Sequence, residues 1–175
     1  MNIVLLGYRG SGKTSVGKRL AMEAWKDFID TDAEVCKHFR GLTIREIWQQ
    51  HGEPAFREAE ADVVEQVMKK DDQVIALGGG SLMAERPRNI VQNAANTVRN
   101  YLKCDPAVLA QRIAADTATA AARPNLTHLG GGVEEITAVL AEREPIYQAL
   151  ADKVLDTTHI QNLEDAVQYI VRRCL

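Results

Sequence analysis

The chain has 175 residues, 46% of them hydrophobic, and a formal net charge of −3. That is the size of one α/β domain with a core of its own, and the lack of a basic stripe argues against nucleic acid as a partner. Its three cysteines, Cys36, Cys104 and Cys174, form no CxxC or Cys/His pattern, which argues against zinc and for a reducing compartment. The opening MNIVLLG is apolar but lacks the basic start and cleavage site of a signal peptide. No apolar run nears the roughly 20 residues of a membrane span. The expectation is a soluble, cytoplasmic protein that does not bind membranes.

Short apolar runs alternate with amphipathic stretches, the pattern of a parallel sheet covered by helices. Residues 2–6 read as a strand buried on both faces, and 13–25 as a helix. A short strand at 28–29 ends at Asp30. Helical stretches at 33–39 and 44–50 are broken by Gly41 and Gly52. Residues 54–70 form a long amphipathic helix with Phe56, Ala59, Val63 and Val67 at helical spacing. A third strand, 74–77, runs into Gly78-Gly79-Gly80. A fourth at 97–102 carries Arg99 and Asn100, which are poor residues for a central strand. After a helix at 106–115 comes 116–132, rich in Ala, Thr and Gly and without clear periodicity. Long loops in compact domains commonly act as lids. A helix at 133–151, with Pro145 expected to kink it, a strand at 153–155 and a helix at 163–174 complete the chain. Trp25 and Trp48 fall on apolar helix faces and are expected in the core. The four histidines show no ligand spacing.

Gly7-Tyr8-Arg9-Gly10-Ser11-Gly12-Lys13-Thr14 matches G-x-x-x-x-G-K-[ST] between a strand and a helix. The glycines let backbone amides wrap phosphate oxygens, and the helix N-terminus adds its dipole. Lys13 would reach the β- and γ-phosphates and Thr14 would ligate Mg²⁺. Asp30-Thr31-Asp32 follows the second strand at the sheet edge where ligands of such sheets bind. If the chain stays extended there, both carboxylates point one way: one toward Mg²⁺, the other positioned to take a proton. The alternative is that Thr31 or Asp32 caps a helix starting near Ala33. Arg57 and Glu60 are spaced i,i+3 and can pair, either as a pinned fork for a carboxylate or as a solvated surface pair. The glycine triplet either admits a small molecule to the backbone or makes a sharp turn. Arg123 sits in the candidate lid, and Arg143 lies two residues before an intrahelical proline.

The series GYRGSGKT, FIDTD, GEPAFREAE, ALGGGS, ARP and REPIY, in that order and spacing, resembles shikimate kinase over nearly the whole chain. The resemblance implies a single P-loop NTPase domain over 1–175. It would be a three-layer α/β/α fold with a five-stranded parallel sheet of order 2-3-1-4-5, a substrate-binding segment at 31–60 and a lid at 116–132. It implies transfer of the ATP γ-phosphate to the 3-hydroxyl of shikimate, giving shikimate 3-phosphate and ADP on the route to chorismate and the aromatic amino acids. ATP and Mg²⁺ are the implied cofactors, shikimate the small-molecule partner, and the monomer the usual state. ATP would lie on Gly10, Ser11, Gly12, Lys13, Thr14 and Ser15, with Arg112 against the adenine and Arg123 closing on the phosphates. Asp30 would help Thr14 hold the metal, and Asp32 would bind a ring hydroxyl and act as base. Arg57 and Arg143 would grip the shikimate carboxylate, with Glu60 holding Arg57, while Gly79 and Gly80 meet the substrate with their backbone. Three departures from the family pattern stand out. The lid reads Arg123-Pro124-Asn125-Leu126 where RPLL is frequent, and it carries Gly130-Gly131-Gly132. Trp48 replaces a usual Phe. The loop at 157–161 lacks the basic residues of some members.

Overall fold

Asn2–Leu6 (β1) is buried at every position, as an aliphatic run must be when helices cover both faces of its sheet. Ile3 and Leu5 pack on one side with Val16 and Leu20 of Lys13–Ala24 (α1). Val4 and Leu6, pointing the other way by strand alternation, pack with Val64, Ile75 and Tyr101. Asp27–Asp30 (β2), Gln73–Ala76 (β3), Thr97–Lys103 (β4) and Lys153–Asp156 (β5) complete a five-stranded sheet of order β2-β3-β1-β4-β5. Every pairing is parallel, as expected. The computed structural model describes residues 1–160 and 162–174, with the backbone alone for Thr119 and Ala120. Gln161 of the loop at 157–161 therefore lies outside the described residues.

The helices are Thr31–His38 (α2), Ile44–Met68 (α3), Glu85–Asn93 (α4), Pro106–Ala115 (α5), Thr117–Ala122 (α6), Val133–Leu150 (α7) and Leu163–Cys174 (α8). α1 and α8 cover one face of the sheet through Val16, Leu20, Val167 and Ile170. α4, α5, α7 and the second half of α3 cover the other through Val91, Leu109, Ile136 and Val64. A separate small cluster of Val35, Ile47, Phe56 and Ala59 joins α2 to α3 beyond the sheet. Among the described residues no helix is long and apolar enough to cross a membrane.

Several expectations are corrected. α2 starts at Thr31, not near Ala33, and its cap is Asp30, whose carboxylate accepts from the N–H groups of Asp32 and Ala33. The chain is thus helical, not extended, through Asp32. Gly52 does interrupt α3, at φ 83° and ψ 158°, but α7 continues through Pro145 as one helix. A proline inside a helix forfeits one backbone bond, and packing of Tyr147 and Leu150 into the core offsets it. Trp25 is 95% exposed, because the α1 C-cap it occupies turns left-handed at φ 55° and throws the indole into solvent. Arg99 is buried in β4 after all. It caps the end of α4, donating to the carbonyls of Val91, Gln92 and Ala94 at 2.8–3.0 Å and pairing with Asp152. Carbonyls at a helix C-terminus lack partners and attract a cation. The lid stretch holds a short helix, α6, that its composition did not announce.

Candidate active site

The loop from Gly7 to Gly12 joins β1 to α1 at the point where the strand order reverses, the usual crevice of an open parallel sheet. Gly12 is the α1 N-cap with φ 97°, a left-handed conformation that a side chain would strain. The Lys13 ammonium folds back and donates to the carbonyls of Gly7 at 2.8 Å and Tyr8 at 2.9 Å. Burial, with a smaller push from Arg123, lowers its pKa to about 8. Ser11 Oγ is buried within the loop and has no hydrogen-bond partner among the described residues. Thr14 Oγ1 donates to Asp30 Oδ2 at 2.7 Å. Around these groups lies a cleft of about 440 Å³ that also reaches Ser15, Arg112 and Arg123.

Beside it is a much tighter cavity of about 50 Å³. Gly79 and Gly80, from the glycine triplet after β3, line it. A Cβ on Gly78 would collide with the Asp32 carboxylate and come within 2.7 Å of Glu60 Oε1. The glycine is therefore required by close approach of two acids. Its N–H donates to Thr31 Oγ1 at 2.9 Å, tying the triplet to α2. The Gly79 carbonyl accepts from Arg143 Nη1 at 2.9 Å and from the Tyr147 hydroxyl. Glu60, 2% exposed, holds Arg57 Nη1 at 2.8 Å with one oxygen and accepts from Ser81 Oγ at 2.6 Å with the other. Burial raises the Glu60 pKa, while Arg57 and Ser81 pull it back. The i,i+3 pair is therefore an internal anchor and not a solvated one. The Arg57 guanidinium also lies over the Trp48 and Phe56 rings, 5.7 and 5.3 Å from their centroids. Trp48 is half-buried: it packs against the small cluster of α2 and α3, as expected, and also lines the cavity.

Four guanidiniums (Arg9, Arg57, Arg123, Arg143) and two carboxylates (Asp32, Glu60) line this cavity. The surplus is positive, as a small anion requires. Three residues, Arg9, Asp32 and Arg123, line both cavities. The Arg123 guanidinium lies 2.7 Å from Asp32 Oδ2, where the two cavities meet. A space of about 50 Å³ holds a few waters. Arg112 donates to Thr157 O at 2.8 Å and lines both the phosphate cleft and a third groove toward Thr157 and Ile160.

The sequence thus named most of what the structure gathers here. It missed Arg9, Tyr147 and Glu135, whose carboxylate pairs with Arg9 at 3.3 Å. Arg9 occupies a free position of the phosphate-loop pattern, which carries no signal. Tyr147 sits inside REPIY, a segment read for its arginine. Glu135 opens a helix as acids commonly do, with nothing to set it apart.

A phosphate loop joined through a shared carboxylate and arginine to a cationic pocket defines a nucleotide-dependent kinase of small, anionic metabolites. Comparison with known proteins narrows this. The sequence model of the shikimate kinase family matches residues 9–175. A shikimate kinase of Rhodopirellula baltica is 36% identical over 171 residues, covering 98% of this chain and 89% of that protein. One of Pelotomaculum thermopropionicum is 38% identical over 170 residues, 97% of this chain and 93% of its own. The structure of shikimate kinase from Acinetobacter baumannii in complex with shikimate superimposes with a TM-score of 0.87 at 29% identity, over 98% of this chain and 90% of that one. The chain belongs to the shikimate kinase family, ATP-dependent kinases that transfer phosphate to shikimate.

Proposed function

We propose that this chain transfers the γ-phosphate of ATP to the 3-hydroxyl of shikimate, releasing ADP and shikimate 3-phosphate. The observation that carries the reading is the pair of cavities sharing Asp32 and Arg123, one built for phosphates and the other lined with surplus guanidinium charge. In this reading Gly10, Ser11, Gly12, Lys13, Thr14 and Ser15 wrap the triphosphate, and the unpartnered Ser11 hydroxyl gains an acceptor. Arg112 lies toward the nucleoside side. Arg57, anchored by Glu60, and Arg143, anchored on Gly79, grip the substrate carboxylate by charge-assisted hydrogen bonds. Gly79 and Gly80 bring backbone to the ring.

Arg123 swings from Asp32 to the phosphates when ATP binds, which frees the Asp32 carboxylate to take the proton of the attacking hydroxyl. The oxygen–phosphorus bond to the acceptor forms as the bond to ADP breaks, in line, and Lys13 and Arg123 face the charge that spreads over the transferring group. Thr14 and Asp30 suit a magnesium ion. No cluster of three or more metal-ligating side chains occurs among the described residues, and Mg²⁺ takes one or two protein oxygens plus phosphates and water. Bound there, Mg²⁺ would neutralise phosphate charge. Residues 31–60 serve as the substrate-binding segment and 116–132 as a lid that excludes water. The reading puts a monomeric enzyme in the cytoplasm, where its free thiols stay reduced.

The test is ADP release with Mg-ATP in the presence of shikimate, gluconate or nucleoside monophosphates. Stimulation by shikimate alone is expected. Equal rates with all three, or with none added, would reject the substrate.

A further inference from the structure

The lid carries Arg123 to the place where the two cavities meet, so the backbone under Arg123 must itself be held. Arg45, half-buried in the first turn of α3, does this from the side. Its Nε donates to the carbonyl of Ala121 at 2.8 Å and its Nη2 to the carbonyl of Arg123 at 2.7 Å. Ala121 is one residue from the end of α6, where helix carbonyls lack partners and the dipole favours a cation. One planar fork therefore caps α6 and fixes the peptide that bears the lid arginine. Its own base is stiff. The Thr43–Glu46 capping box closes the start of α3, with Glu46 Oε2 accepting from Thr43 N at 2.8 Å and Thr43 Oγ1 accepting from Glu46 N at 3.2 Å. Ile44 and Trp48, on the same turns, line the cationic pocket.

We propose that Arg45 is a positioning residue: it ties the helix that lines the acceptor pocket to the lid backbone, and so sets where the Arg123 guanidinium sits. The pocket wall and the phosphate-facing arginine then move as one piece, and acceptor binding on α3 is felt at the phosphates. Arg45 touches neither ligand in this scheme, and its effect runs through Arg123. The inference rests on the proposed reaction, but one of its readouts does not.

The experiment compares the full chain with its Arg45→Ala variant in two ways. Amide hydrogen exchange is followed over residues 121–127 in the absence of substrates, with β1 as the internal control. Steady-state rates are measured with shikimate and Mg-ATP. The variant is expected to exchange these lid amides about tenfold faster and to lose kcat by about tenfold, a loss of the size that follows from small misplacement of a catalytic group. The shikimate KM should move less than about threefold, because Arg57 and Arg143 are untouched. Arg45→Lys, which keeps the charge without the fork, should fall between the two. Lid exchange at the wild-type rate overturns the assignment, as does an unchanged kcat with a raised shikimate KM. If the wild type turns over no shikimate while Arg45→Ala still loosens the lid, the proposed reaction fails and the tether stands.

Discussion

The phosphate loop and the stretch 116–132, proposed as a lid, both border the phosphate cleft, but they are built from different materials. The loop is backbone hung between a fully buried strand and a helix, with its shape set by glycines in left-handed conformations and its carbonyls tied by Lys13 of the same motif. Among the described residues the lid stretch contains no strand. Side chains from three other elements hold its carbonyls and amides: Arg45 on Arg123, Arg9 on Pro124 at 3.0 Å, and Glu135 on Leu126 and Thr127. A site made of backbone is as stable as the core that carries it. A site held by side chains can let go in pieces, which suits the lid role proposed for this segment.

The sharpest way to break the comparison is at Lys13. Lys13→Ala should cut kcat by about a thousandfold, the scale of losing a preorganised donor to developing charge, while the fold survives because β1 and α1 keep their packing. A coupled ADP assay beside a thermal melt checks both halves. Next in size is the acceptor pocket. Arg57→Ala should raise the shikimate KM by about 10- to 100-fold, as loss of a charge-assisted pair predicts, with a smaller change in kcat. If both constants stayed at wild-type values, the carboxylate clamp would be misassigned.

The same contrast explains what could be read from the sequence. The phosphate loop was legible because backbone wrapping demands glycine at fixed spacing, and the sheet order followed from the family pattern around it. Asp30 and Asp32 were found for an incomplete reason: they converge on the site because α2 starts between them, not because the chain stays extended. The glycine triplet was visible, but its cause, the Asp32 and Glu60 carboxylates against Gly78, comes from residues 46 and 18 positions away. Arg45 and Arg9 were not legible at all. Each makes its contact across more than 70 residues, and an arginine that grips a carbonyl leaves no periodic trace. The α4 helix and its cap Arg99 were missed likewise, since the arginine reads as an intruder until its three carbonyl partners are in view.

A smaller effect separates the loop from the lid by pH. The Lys13 ammonium has a pKa lowered to about 8 by burial and by Arg123, so the free protein loses that charge as pH rises through this value. Triphosphate binding favours the charged form and must take up a proton above it. The ATP Kd should therefore be flat below about pH 7.5 and rise by up to tenfold per unit above about 8.5 by linkage. Calorimetry between pH 7 and 9.5 measures this. Lys13→Arg, charged throughout, should show no such slope whatever its affinity. A flat wild-type profile would mean that the loop carbonyls keep the ammonium protonated.

The smallest expected effect tests the lid alone. The Glu135 carboxylate accepts from the N–H groups of Leu126 and Thr127 at 3.1 and 2.9 Å, from the Thr127 hydroxyl at 2.9 Å, and pairs with Arg9 at 3.3 Å. Burial pushes its pKa up, but these donors outweigh it and the net shift is downward. The charged form thus belongs to the folded lid. Its contribution is complete above the ordinary glutamate range and is lost as pH falls through the lowered value. Glu135→Gln keeps the shape and turns an amide NH₂ toward donors, at a cost of about 1–2 kcal/mol. Amide exchange at Leu126 and Thr127 should quicken by roughly tenfold by that cost, and kcat should fall only a few-fold because Arg45 still holds Arg123. Unchanged exchange at those two amides would mean that the lid, like the loop, is fixed by its own backbone, and the contrast between the two regions would fail.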